Sequence, residues 1–255
     1  MSDEIVYARA DDGTQIAYRV FDAAEGPDYV VVSGAFFSVE LLEQDRVASR
    51  FLDGLASMGR LVAFDKRGVG SSDPITDWTR SAQEQWAEDL VAVIHASGLV
   101  NPVVVSWETM GVARLAASLW PDLVSKMVLI NPMPDPGELM NAFLASGPDS
   151  FQPRSVEEIA FPSRIMDPDF EAWLVRAGRA GASPSSAPRM WDLLLSYERP
   201  LTPPGVATPT LVLHNVESTI RREWIDHVVN DLQNAELVSV PGADAYPVSG
   251  DIDPL

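Results

Sequence analysis

The chain predicts an α/β fold, a doubly wound and mostly parallel sheet with helices on both faces and one long helical insertion. Three observations carry this. Strand-like and helix-like patterns alternate along most of the 255 residues. Several strand-like stretches are continuous apolar runs, as strands buried on both faces require. Finally, Val103-Val104-Val105-Ser106 leads through Trp107-Glu108-Thr109-Met110-Gly111 into the small-residue segment from Val112 to Leu119, a strand, a sharp turn and a helix in immediate succession.

In chain order, Glu4 to Ala8 and Gln15 to Val20 flank Asp11-Asp12-Gly13 and predict an opening hairpin. Tyr29 to Val32 is an apolar strand ending in Ser33-Gly34, and Leu61 to Phe64 is another ending at Asp65. Between Gln83 and His95 the apolar residues Trp86, Leu90, Val93 and Ile94 recur at i, i+4, i+7 and i+8, the stripe of a helix lying on a sheet. Lys126 to Ile130 predicts the next strand. From Pro132 to about Pro204 the pattern breaks into short helical pieces rich in Pro, Met and aromatics. The sheet resumes at Thr208 to Leu213 and closes with Glu236 to Val240. The expected organisation is one domain, with a core of residues 1–131 and 205–255 and a cap insertion of residues 132–204.

Composition narrows the function classes. No apolar run approaches a membrane span, and Met1-Ser2-Asp3-Glu4 lacks the basic and apolar regions of a signal peptide, so a cytoplasmic protein without a membrane partner is expected. With no cysteine, disulfides, thiolate metal sites and a cysteine nucleophile are excluded. A formal charge of -19 speaks against nucleic acid, because neutralising phosphates takes clustered Lys and Arg. No metal and no cofactor is expected.

The turn at residues 107–111 has the frame of a nucleophile elbow, Gly-x-Ser-x-Gly, in which small neighbours let the backbone turn tightly and lift the central side chain to the mouth of the sheet. Here Thr109 stands at the nucleophile position, Trp107 replaces the first glycine, and Gly111 alone keeps the frame. A hydroxyl nucleophile needs a base, and the base needs an orienting acid. Only His95, His214 and His227 could serve. His95 and His227 fall on helices away from the turn, and His214, at a strand end, is expected to be packed and hydrogen-bonded. Glu108 precedes the nucleophile position. It is paired with an arginine such as Arg67 or Arg114, or turned toward solvent, or it is an acid/base group with a pKa raised by burial.

The chain resembles the α/β-hydrolase superfamily over nearly its full length. Asp65-Lys66-Arg67-Gly68-Val69-Gly70-Ser71-Ser72 is similar to the family's Asp-x-Arg-Gly-x-Gly-x-Ser loop, and Ser33-Gly34-Ala35-Phe36 sits where the family has His-Gly-x-x. His214-Asn215-Val216-Glu217-Ser218 resembles the acid loop, with Ser218 at the usual aspartate. Pro241 to Pro247 resembles the histidine loop, with Ala245 at the base position. The nearest resemblance is to hydrolase-like modules ahead of some bacterial class III adenylyl cyclases, through Leu213 to Thr219, Pro241 to Asp244 and Gly250-Asp251. Those modules tend to have a degenerate triad. The sequence stops at Leu255, where that family begins its last sheet-covering helix, so a fragment or a shortened relative is expected, and the resemblance implies a fused or partner output domain.

It also implies two oxyanion-hole amides, from Met110 and from Ala35 or Phe36, which can hold a ligand oxygen without attacking it. In the insertion Met140, Phe143, Leu144, Phe151, Phe161, Ile165, Met166, Phe170, Trp173, Met190, Trp191 and Tyr197 predict an apolar lid, since caps in this superfamily build the pocket. The leading expectation is a non-hydrolytic binder of a small, apolar carbonyl or carboxylate ligand, contacted by Ala35, Phe36, Thr109, Met110 and Tyr246. The alternatives are a lyase, isomerase or cyclase using Glu108 or Thr109, and a slow esterase using Thr109.

Overall fold

A computed structural model describes residues 4–21, 25–34, 37–107, 111–133, 160–196, 202–247 and 250. Among them eight strands form one sheet: β1 (Val6–Arg9), β2 (Gln15–Phe21), β3 (Asp28–Val32), β4 (Arg60–Phe64), β5 (Val103–Ser106), β6 (Lys126–Ile130), β7 (Thr210–Asn215) and β8 (Ala235–Val240). Their order is β1-β2-β4-β3-β5-β6-β7-β8. β2 pairs antiparallel with β1 and β4, and every pairing from β4 to β8 is parallel. This is the α/β-hydrolase fold.

The central strands bury both faces. Alternate residues divide between the two sides: Val30, Val62 and Val104 enter one core with Trp86, Leu90 and Val112, while Val31, Ala63 and Val105 enter the other with Leu42, Phe51 and Leu52. The first side is covered by α3 (Ala82–Ser97) and α4 (Val112–Leu119). On the second lie α1 (Val39–Gln44) and α2 (Arg46–Met58), a pair absent from the expected pattern. Asp45 ends α1 and caps α2, its carboxylate accepting from the amides of Val47 and Ala48 at 2.9 and 3.1 Å.

β7 begins at Thr210, two residues later than expected. Pro209 has no N–H for a ladder, and the Thr210 amide donates to Asn234 O at 2.9 Å instead. β1 likewise occupies Val6–Arg9 rather than starting at Glu4. Between β6 and β7 the insertion supplies α5 (Pro168–Gly181), α6 (Ala187–Leu195) and a short 3-10 turn at Pro162–Arg164. α5 packs on α1 and α6 on α3, while α7 (Arg222–Asp231) covers β7 and β8. Among the described residues no helix is long and apolar enough to cross a membrane.

Candidate functional site at the carboxyl ends of the strands

Loops leaving the carboxyl ends of β3 to β8 converge, the place where open α/β sheets bind ligands. The loop after β4 is built around Asp65. Its carboxylate accepts from the amides of Val39 at 2.7 Å and Ser71 at 2.9 Å. Burial pushes this carboxyl above its ordinary value, against the pull of those amides and of Lys66. Gly70 sits at φ +55°, and any side chain there would collide with the Asp65 carboxylate.

Arg67 turns away from the site. Its Nε and amide each donate to buried Asp89 at 2.8 Å, and its Nη1 reaches Asp12 at 2.6 Å. Burial lifts the Asp89 carboxyl to about 6 even beside that guanidinium. The Arg67 guanidinium is thus engaged by Asp89 and Asp12, while Glu108, for which Arg67 or Arg114 is the expected partner, lies outside the described residues. Arg114 donates to Thr202 Oγ1 at 2.7 Å and to Met133 O at 2.8 Å, joining the two roots of the insertion.

Lys66 points inward. It is buried, and its ammonium donates to the carbonyls of Ser33 at 2.6 Å and Gly34 at 3.1 Å, in the loop that follows β3. Ser33 Oγ donates to Phe37 O at 3.0 Å and the Phe37 amide to Gly34 O at 3.4 Å, which ties Phe37 to the end of β3. Ala35 and Phe36 lie outside the described residues, as do Glu108, Thr109 and Met110.

On either side of those last three, Trp107 and Gly111 are described. Trp107 follows β5, with its amide donating to Val32 O at 3.4 Å. The side chain is 1% exposed and meets Phe51 edge to face at 5.3 Å. Gly111 stands at φ +75° as the N-cap of α4, a left-handed conformation that a side chain would strain.

The loops after β7 and β8 are stitched together by two asparagines. Asn131, at φ +47° after β6, accepts from the Asn215 amide at 2.9 Å and donates to Ala245 O at 2.9 Å. Asn215 Nδ2 donates to Asp244 O at 3.2 Å. The Ala245 amide donates to Ala160 O at 3.0 Å, so its position is set from both sides. Asp244, 3% exposed, accepts from the amide of Ser163 at 2.9 Å and from its hydroxyl. Ser218 is half-buried, with its hydroxyl donating to Asn215 O at 2.7 Å.

The β8 loop is thus packed against the loops after β6 and β7, and its tip carries Tyr246 into a ring cluster. Phe37 stacks on Trp173 at 5.7 Å and meets Tyr246 edge to face at 6.3 Å; Phe161 lies 5.6 Å from Tyr246 and 5.3 Å from Phe170. Of the residues expected to touch a ligand, Tyr246 alone is described, half-buried in this cluster. Asn131, Asn215, Ser163, Asp244 and Phe37 were not singled out as site residues. Of these, Asp244 and Asn215 carried a signal in the sequence, through the Pro-Gly-x-Asp stretch and the His214 to Ser218 stretch.

Among the described residues, none of the three histidines hydrogen-bonds to the Ala245 loop. His214 is buried, with Nε2 3.0 Å from Ile220 O. His95 is exposed near the end of α3, and exposed His227 lies 3.6 Å from Asp231 on α7. Among the described residues no group of three His, Asp or Glu side chains could hold a metal ion.

Solved structures share this architecture. An esterase, RhEst1 from Rhodococcus sp. ECU1013, superposes with a TM-score of 0.75 at 22% identity, covering 97% of this chain and 94% of its own. A hydrolase from Pseudomonas aeruginosa PA01 gives 0.71 at 18% identity, with 96% and 93% covered. The enol-lactonase from Burkholderia xenovorans LB400 gives 0.70 at 14% identity, with 94% and 93% covered. At these identities the likeness is one of fold. No curated protein matches the sequence. The model of the alpha/beta hydrolase fold family matches residues 47–206, more than half of the chain, and the chain belongs to that family.

Proposed function

We propose that this chain is a non-hydrolytic member of its family, a binder of a small, apolar ligand bearing a carbonyl or carboxylate. The observation that carries the reading is Ala245. Its loop is held by Ala160, Asn131 and the Asp244–Ser163 contact, and the position that would hold a base has only a methyl group. The histidines are spent elsewhere: His214 bonds Ile220 O, and His95 and His227 sit on outer helices. Ser218, at the acid position, donates to a backbone carbonyl. A hydroxyl at Thr109 then has no relay to deprotonate it.

The core of residues 1–131 and 205–255 supplies the loops, and the cap of residues 132–204 supplies rings over them. The pocket is read as lying between the β3 loop, the elbow and the insertion, with Ala35, Phe36, Thr109, Met110 and Tyr246 around it. Gly34 O is held by Lys66, which supports a fixed β3 loop beside that pocket. The resemblance to modules ahead of adenylyl cyclases adds that binding serves a fused or partner output domain. No metal, cofactor, nucleic acid or membrane enters this reading.

A thermal-shift panel of 4-phenylbutyrate, 4-phenyl-2-butanone and related apolar acids and ketones tests it. Binding to the native state raises the melting temperature with ligand concentration. Ala35→Trp should remove that rise while the free protein melts as before. A panel that leaves the wild-type melting temperature unchanged contradicts the reading.

A further inference from the structure

Trp107 occupies the position where the elbow frame has a glycine, and it introduces a donor that a glycine would not. Its side chain is 1% exposed, yet among the described residues Nε1 has no acceptor. An indole N–H is donor only, and buried donors in native proteins nearly always find a partner, because leaving one unmet costs its full desolvation. The ring is not loosely placed. It belongs to the core that contains Val31, Val39, Phe51, Ile130 and Phe161, and Phe51 meets it edge on at 5.3 Å.

Its unmet nitrogen lies beside the β3 loop. A Cβ built on Gly34 would stand 3.7 Å from Nε1 and 3.0 Å from the Phe37 ring, so the indole nitrogen, Gly34 and Phe37 share one neighbourhood. Phe37 continues into the cluster with Trp173 and Tyr246, which puts the donor next to the apolar wall of the site. Lys66 holds Ser33 O and Gly34 O, so those nearby carbonyls already have a donor of their own.

We propose that the Nε1–H of Trp107 donates a hydrogen bond to the oxygen of the bound ligand, making Trp107 a binding residue that selects a carbonyl or carboxylate oxygen over a hydrocarbon of the same shape. The inference rests on the binding role set out above and names the side chain that gives it chemical selectivity. A buried tryptophan here replaces covalent capture of a carbonyl by reversible recognition of it.

The test compares wild type with Trp107→Phe, which removes the donor and keeps an aromatic ring. The probes are 4-phenyl-2-butanone, 4-phenylbutyrate and butylbenzene, with binding read by calorimetry. A single neutral hydrogen bond predicts that the variant loses about fivefold to tenfold in affinity for the ketone, at least as much for the carboxylate, and less than about twofold for butylbenzene. Equal losses for all three probes, or none, overturn the proposal and leave the binding role standing. A wild type that binds no probe overturns both. Should Trp107→Phe fail to fold, the indole ¹H–¹⁵N signal of Trp107 in the wild type decides: it shifts downfield on saturation with the ketone if it donates to the ligand, and an unmoved signal overturns the proposal.

Discussion

Ser163 gives both its amide, at 2.9 Å, and its hydroxyl to the buried carboxylate of Asp244, 81 residues further along the chain. One residue belongs to the insertion and the other to the loop after β8, so a single carboxylate joins lid to core beside Ala245. Its two oxygens accept from donors that arrive only when the insertion docks.

The latch predicts a coupling. Asp244→Ala leaves the Ser163 donors unmet and should cost about 1–3 kcal/mol, Ser163→Ala less, and the double variant less than the two single costs summed. Urea unfolding of the four proteins measures the cycle. Strict additivity would show that the two residues do not act as a pair.

A second pair concerns stability alone. Arg67 and Asp89 are both fully buried and bonded through Nε and the Arg67 amide. Asp89→Ala takes the buried carboxylate partner from a guanidinium left with Asp12 and Gln85 at Nη1 and should cost about 3–5 kcal/mol, well above the cost of Asp226→Ala in the exposed Arg222–Asp226 pair, which should stay below about 1 kcal/mol. Chemical denaturation of both variants checks the contrast.

Acid stability follows from Asp12. Partial burial works against its charge, but hydrogen bonds from Thr14 and the guanidinium of Arg67 outweigh it and hold its pKa at about 2, below the ordinary 3.8. A carboxylate depressed on folding stabilises the native state above its unfolded pKa, and that contribution is lost as pH falls through the folded value. Asp12→Asn should therefore be less stable than wild type at pH 7, the gap closing between about pH 4 and pH 2. A gap independent of pH would mean that the charge of Asp12 contributes nothing. At 42% exposure the effect is small and weakened by salt.

Much of the sheet was readable because buried parallel strands are written as unbroken apolar runs, and Val103–Ser106 and Lys126–Ile130 fall where the runs predict. The helices α1 and α2 were not, because α1 is only six residues long and Asp45, which ends one helix and caps the other, reads locally as a loop residue. Gly111 at positive φ was legible from the elbow frame. The stitching by Asn131 and Asn215 was not, since it joins loops 84 residues apart and leaves no local pattern. Trp107 was visible as an intruder in the frame, but that its nitrogen lies beside Gly34 with no acceptor among the described residues is visible only once the fold brings the β3 and β5 loops together.

Repair of the elbow should be conditional. Thr109→Ser alone should stay inactive toward activated esters, because an unactivated serine still lacks its base. Combined with Ala245→His and Ser218→Asp it should show a measurable rate, since the asparagine stitching already brings the two loops together. Activity from the single change would reveal another residue acting as base.

The most direct measurement is hydrolysis of p-nitrophenyl butyrate by the purified wild-type protein, run beside labelling with a serine-directed phosphonate. The account predicts a rate no greater than that of a folded control protein and no adduct in the peptide containing Thr109. Saturable turnover that disappears in Thr109→Ala, with the phosphonate found on Thr109, would contradict it.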